Sequence, residues 1–129
     1  MGTPEFALPT LKSLFDSQYN IVAVYTQPDR PGKRGQKLTW SPVKELAVSQ
    51  GLFVVQPETL KQPVEIERLN LLNPDIVVVA AYGQILPDAV LNLPRYGCIN
   101  IHPSLLPRHR GPSPISTAIL EGDEVTGVT

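Results

Sequence analysis

Hydrophobic and polar positions along the chain follow two rhythms. Short unbroken apolar runs stand at 21–26 (IVAVYT), 52–56 (LFVVQ), 75–81 (DIVVVAA) and 97–102 (GCINIH). Runs this short, rich in Val and Ile and bounded by turn formers, predict strands buried on both faces. Between them the apolar positions space out to a helical period. Leu11, Leu14 and Phe15 give i, i+3, i+4 spacing and Pro9 suits a first turn, which predicts a helix over 7–17. Ser41-Pro42 has the form of an N-cap followed by the first helical residue, starting a helix that stops at Gly51. Further helices are expected over 64–72, 87–93 and 114–121, and the final TGVT opens another strand. The stretch 27–40 (QPDRPGKRGQKLTW) is polar, rich in Gly and Pro, and predicts a long loop. Apolar strands alternating with amphipathic helices predict an α/β fold: a parallel sheet with helices on both faces. Both edges have the look of cuts. MGTPEF resembles a strand-to-helix turn whose strand is missing, and Val128-Thr129 stops in mid-strand, so the expectation is the middle of a larger domain truncated at both ends.

Composition narrows this little. At 129 residues there is room for one domain with a real core, and 42% apolar against 18% charged residues excludes a disordered chain. A net charge of −1 excludes a surface that attracts nucleic acid or anionic membrane as a whole, so such binding must come from a local patch. No apolar run reaches about 18 residues and no secretory leader is visible, so neither a membrane span nor secretion is expected. Cys98 is the single cysteine, which excludes an internal disulfide and fits a reducing, cytoplasmic setting.

Three stretches are candidates for chemistry. GTPEFA carries only Gly2, where a dinucleotide fingerprint needs three glycines, so a plain turn is the better reading. In 97–102, a strand period of two puts Cys98, Asn100 and His102 on one face and Ile99 and Ile101 on the other. Open parallel sheets bind ligands at the carboxyl ends of their strands. There an Asn amide can donate to a developing oxyanion, and an imidazole can take or give a proton at neutral pH. By itself Asn-x-His is more often two polar residues at a solvated strand end. Its weight comes from the turn that follows, Ser104-Leu105-Leu106-Pro107, whose leucines need a dry surface to cover, and from loop 80–89, which carries Ile85 and Leu86 after the preceding strand. Two such loops suit the walls of one pocket. The third stretch, 30–37, gathers Arg30, Lys33, Arg34 and Lys37 beside Trp40, a composition for phosphate contacts and stacking that also describes a solvated loop. Arg108, His109 and Arg110 form a second small basic cluster.

NIHPSLLPRHRGPSPI resembles the signature of the 10-formyltetrahydrofolate-dependent formyltransferases, and GTPEFALPTL, TQPDRPGKRGQKLTWSPVK and AAYGQILP are similar to further stretches of that family. The resemblance covers essentially the whole chain. It implies a Rossmann-like domain that moves a formyl group from 10-formyltetrahydrofolate to the amine of initiator methionyl-tRNA, without a metal, in a cytoplasmic and monomeric protein. Asn100 then binds the formyl oxygen, while His102 stabilises it and helps move the amine proton. Ser104, Leu105, Leu106 and Pro107 match the folate-contacting turn, with the Leu106–Pro107 bond cis. Ala80, Tyr82, Gly83, Gln84, Ile85 and Leu86 match the pterin wall. Arg30, Lys33, Arg34 and Lys37 lie in the stretch that matches the tRNA-reading loop, with Arg34 at its key arginine; Trp40 is not supplied by the resemblance. Residues 1–129 are thus expected to be part of a catalytic domain. Most of the family's first strand, its catalytic Asp beyond Thr129 and its C-terminal tRNA-binding domain are not in the chain. The chain alone is therefore expected to transfer formyl groups poorly or not at all. The rivals are a formyltransferase for another amine, such as a purine precursor or an amino-sugar nucleotide, and a non-catalytic folate-binding fragment.

Overall fold

The computed structural model describes residues 1–31 and 38–129. A single 3-10 turn, Glu5–Ala7, leads into α1 (Leu8–Phe15), with Pro9 in its first turn where a missing N–H costs nothing. Then come β1 (Val24–Tyr25), β2 (Arg30–Pro31), β3 (Leu38–Thr39), α2 (Pro42–Ser49), β4 (Val54–Val55), α3 (Pro63–Leu72), β5 (Val77–Val79), α4 (Asp88–Leu91), β6 (Cys98–Asn100) and α5 (Pro114–Leu120). Ser41 caps α2 as its sequence predicts, its Oγ accepting from the Lys44 N–H at 3.2 Å. Asn73 ends α3 in the left-handed conformation at φ 45°, which its short polar side chain tolerates.

The strands are shorter than their apolar runs. Only Val24–Tyr25 of 21–26, Val54–Val55 of 52–56 and Val77–Val79 of 75–81 make ladder pairs. Burial does not follow the runs either: Thr26 and Ala80 are buried beyond the paired residues, but Val22, Phe53 and Ile76 are exposed, and so is Ile99 within β6, so the expected burial on both faces holds only for the paired centres of β1 and β5. Loop 27–40 is also corrected, because Arg30 pairs antiparallel with Thr39 and Pro31 with Leu38. Residues 126–129 form no strand; instead Thr129 exchanges two backbone hydrogen bonds with His102, at 2.7 and 2.9 Å.

Nor is there one continuous ladder among the described residues. β1 pairs parallel with β4, β5 pairs with β6, and β2 pairs with β3. The first two pairs are linked through Met1 and Gly2. The Gly2 N–H donates to Tyr25 O and the Ala80 N–H to Met1 O, both at 2.9 Å, in a parallel bridge between Gly2 and Ala80. Gly2 is obligatory here: a Cβ would stand 2.7 Å from the Ala7 Cβ and 2.9 Å from the Ala80 carbonyl oxygen. The glycine that looked like a weak nucleotide signal thus permits a close approach of helix and strand. Beside this link lies a cavity of about 510 Å³, lined by Met1, Leu11, Val24, Leu69 and Val77 among others.

The chain divides into two compact units, Met1–Ile99 and Asn100–Thr129. The first holds a core of Tyr25, Val55, Leu60, Leu69, Val77, Val79, Tyr82 and Val90, against which Leu86 and Cys98 pack. In the second, Ser104, Pro114 and Ala118 are buried. No helix among the described residues is long and apolar enough to cross a membrane.

Candidate functional site

The boundary between the units falls inside β6, after Ile99, so Asn100 and His102 belong to the second unit and loop 80–87 to the first. In the second, β6 delivers an exposed Asn100 at its last residue, and His102 follows two residues on, half-buried. Its backbone is fixed by the exchange with Thr129 and by the Ser104 N–H, which donates to the His102 carbonyl at 2.8 Å. Its ring Nε2 lies 2.9 Å from the backbone carbonyl oxygen of His109. A carbonyl only accepts, so Nε2 carries a proton, and in the neutral ring Nδ1 then carries the lone pair.

The turn after His102 is held by its own polar groups. Ser104 is fully buried; its Oγ donates to the Arg108 carbonyl at 2.8 Å and its carbonyl accepts from Thr129 Oγ1 at 2.7 Å. The Leu106 N–H donates to the same Thr129 oxygen at 3.1 Å, and the Leu106–Pro107 bond is cis. Leu105 and Leu106 remain 47% and 44% exposed, so the turn presents its two leucines while its serine faces inward. Of the four residues assigned to folate contact here, Ser104 is placed to shape the turn and the leucines to make an apolar contact.

Two residues of the basic cluster 108–110, Arg108 and His109, are paired with acidic groups, and Arg110 is exposed. The Arg108 guanidinium pairs with Asp123 Oδ1, and His109 Nε2 lies 2.7 Å from Asp123 Oδ2. Glu121 stands 3.8 Å from His109 Nδ1. Hydrogen bonding from His109, followed by Arg108, holds the Asp123 carboxyl below its ordinary value. His109, Glu121 and Asp123 are the one group of this kind among the described residues whose geometry suits a metal ion. Arg108 already supplies the positive charge on Asp123. Sequence reading found the basic half of this cluster and missed the acidic half, because Asp123 lies 14 residues from His109 and nothing in the pattern links them.

In the first unit, loop 80–87 follows β5. Ala80 and Tyr82 are buried; burial pushes the pKa of the Tyr82 hydroxyl up, and that hydroxyl has no hydrogen-bond partner. The Tyr82 carbonyl accepts from Thr3 Oγ1 at 2.9 Å and from Gln27 Nε2 at 3.3 Å. Gly83 sits at φ 88°, where a side chain would be strained. Gln84 braces the neighbouring chain: its Oε1 accepts from the Leu60 N–H and its Nε2 donates to the Pro57 carbonyl, both at 3.1 Å. Ile85 is 87% exposed, and Leu86 packs on the core. Within the proposed pterin wall, then, Ile85 is the side chain offered to a ligand, and Ala80, Tyr82, Gly83 and Gln84 shape the backbone that offers it. The 510 Å³ cavity meets this loop only at Ala80.

Of the basic loop, Arg30 is exposed on β2, while Lys33, Arg34 and Lys37 lie outside the described residues. Its base is tied by residues that sequence reading passed over. Lys44 Nζ reaches Asp29 Oδ2 at 2.5 Å, and Gln56 Nε2 donates to Asp29 Oδ1 at 2.9 Å and to the Gln27 carbonyl at 2.8 Å. These bonds, Gln56 first, hold the Asp29 carboxyl below its ordinary value. Lys44 also stands 4.7 Å from the centre of the Trp40 ring, so a protein cation already faces that ring.

The family model described as Formyl transferase matches residues 1–129. The chain belongs to this family. Its α/β architecture is accordingly Rossmann-like. Similar proteins named methionyl-tRNA formyltransferase include those of Methylococcus capsulatus, 62% identical over 99% of this chain, and of Caldanaerobacter subterraneus subsp. tengcongensis, 55% identical over 100% of it. That of Dehalococcoides mccartyi is 57% identical, also over 100% of the chain. The chain spans 41–42% of the length of these relatives.

Proposed function

We propose that residues 1–129 are part of the catalytic domain of a cytoplasmic, monomeric enzyme that transfers a formyl group from 10-formyltetrahydrofolate to the amine of initiator methionyl-tRNA. The observation that carries this reading is the placement of Asn100 and His102. The strand ends on an exposed amide, and an imidazole held through its Nε2 by a backbone carbonyl follows two residues later.

In this reaction the amine nitrogen attacks the formyl carbon and a C–N bond forms. The formyl oxygen takes up negative charge, which the Asn100 amide meets by donating a hydrogen bond. The bond from carbon to the folate nitrogen then breaks, and the proton lost by the amine ends on that nitrogen, with His102 carrying it. No step requires a metal. The folate contacts are Leu105 and Leu106, on a turn shaped by Ser104 and Pro107, and Ile85, on a loop shaped by Ala80, Tyr82, Gly83, Gln84 and Leu86. Arg30, Lys33, Arg34 and Lys37 meet the phosphates of the tRNA.

The test is Asn100→Ala and His102→Ala in the full-length natural protein. Each is expected to lower kcat by about 10²–10³-fold with folate binding kept, since an oxyanion donor or proton carrier is worth that much. Unchanged transfer in both variants would remove them from the reaction. Failure of transfer in the unaltered protein, with folate still bound, would favour the folate-binding alternative. Competition between methionyl-tRNA and a purine-precursor or amino-sugar amine separates the acceptors.

A further inference from the structure

We propose that His109 is a positioning residue for His102. Its backbone carbonyl, held in place by a side-chain latch to Asp123, fixes the His102 imidazole as the Nε2–H tautomer and leaves Nδ1 free to take the proton. The inference rests on the formyl-transfer reading for its purpose, but its geometry stands without it.

His109 has a φ of 54°, in the left-handed region that non-glycine residues enter seldom, histidine more readily than β-branched ones. Its side chain is 6% exposed, and Nε2 lies 2.7 Å from an Asp123 carboxylate that is itself 8% exposed. The Arg108 guanidinium holds the second oxygen of the same carboxylate, so Asp123 is fixed from two sides. Glu121 adds a more distant negative charge at 3.8 Å from the other ring nitrogen.

With the ring latched, the His109 carbonyl stands 2.9 Å from His102 Nε2. Rotating His109 into the ordinary right-handed or extended region would turn that carbonyl away. A neutral imidazole without such a partner distributes its proton between both nitrogens, and only the form with an unprotonated Nδ1 can accept a proton there. When Nδ1 does take the proton, Nε2–H becomes the donor of a charged ring, and its bond to the carbonyl strengthens. The carbonyl thus favours both the correct resting tautomer and the cation that follows. His109 is a poor candidate for the proton carrier itself, because its ring is buried and one nitrogen is occupied by Asp123.

The test reads the tautomer directly, by long-range proton–nitrogen correlation NMR on the full-length natural protein with ¹⁵N-labelled histidine. The unaltered protein is expected to show His102 as a single Nε2–H tautomer. His109→Asn should keep it, since Asn tolerates the left-handed region and so leaves the carbonyl aimed at His102. His109→Val should produce a mixture of both tautomers at His102, because a β-branched residue resists that region. Formyl transfer by His109→Val should fall about tenfold or more in kcat, with an altered pH profile and unchanged KM for the folate. A His109→Val protein that retains the pure Nε2–H pattern overturns the proposal. Should that variant not fold, Asp123→Asn is read by the same spectrum, with a mixed tautomer expected and a pure Nε2–H pattern again overturning it. Because the spectrum needs neither folate nor turnover, its outcome is independent of whether Asn100 and His102 prove to act in transfer.

Discussion

The two units of this chain are built in different ways. Residues 1–99 are held by apolar packing, with Leu60, Leu69, Val77, Val79 and Val90 closing around two tyrosines. In residues 100–129 order comes from hydrogen bonds and charge pairs: Ser104 to Arg108, Thr129 to His102 and Ser104, and His109 with Arg108 to Asp123. Packing is collective and tolerates drift of a few tenths of an ångström, whereas a directed hydrogen bond fixes an atom. The polar unit carries Asn100 and His102, the pair proposed to react.

The comparison is broken most severely by removing core volume. Leu60→Ala, at a side chain 1% exposed, is expected to destabilise by about 2–5 kcal/mol in urea unfolding of the full-length natural protein. Exchange protection at Val55 and Val77 should fall with it. Gly2→Ala comes next. Its methyl would press on the Ala80 carbonyl at 2.9 Å, and the expected cost is about 1–3 kcal/mol, read as a lower urea midpoint.

Polar changes in the second unit are smaller in energy and more specific in place. Ser104→Ala leaves the Arg108 carbonyl without its partner. It should cost about 1 kcal/mol, with amide shift changes confined to residues 102–109. Acid sharpens the same contrast. The Asp123 carboxyl is depressed by His109 and Arg108, so the latch it forms is fully present above the ordinary carboxylate value, about 4, and is lost as pH falls through the depressed value. A pH series of carbon NMR spectra should show the Asp123 side-chain carboxyl titrating only below about pH 4, and a midpoint at or above that value would mean that His109 and Arg108 do not hold it. The smallest effect is expected at Arg68→Ala, which removes an exposed ion pair to Glu65 and should change stability by less than about 1 kcal/mol.

Much of this was legible because it rests on short-range chemistry. Ser41-Pro42 named its helix start, since capping needs only a side-chain oxygen and the next turn's N–H. The valine run named β5, and Asn100-x-His102 named a strand end. The strand ends were less legible, because Ile21, Val22 and Ala23 are apolar without pairing in a ladder. The pairing of Arg30–Pro31 with Leu38–Thr39 was hidden by residues typical of a loop.

The sequence by itself determined the α/β class, the family and the two residues proposed to react, because periodicity, capping and a dense local motif survive without knowledge of what folds against what. Tertiary structure alone decided the work of the remaining polar groups. It turned Gly2 into a point of closest approach, Ser104 inward as a brace and Gln84 away to Leu60 and Pro57. It also brought Asp123 to His109 and the His109 carbonyl to His102. Each of these depends on the direction of a bond between residues distant in the chain, and direction is fixed only when the chain closes on itself.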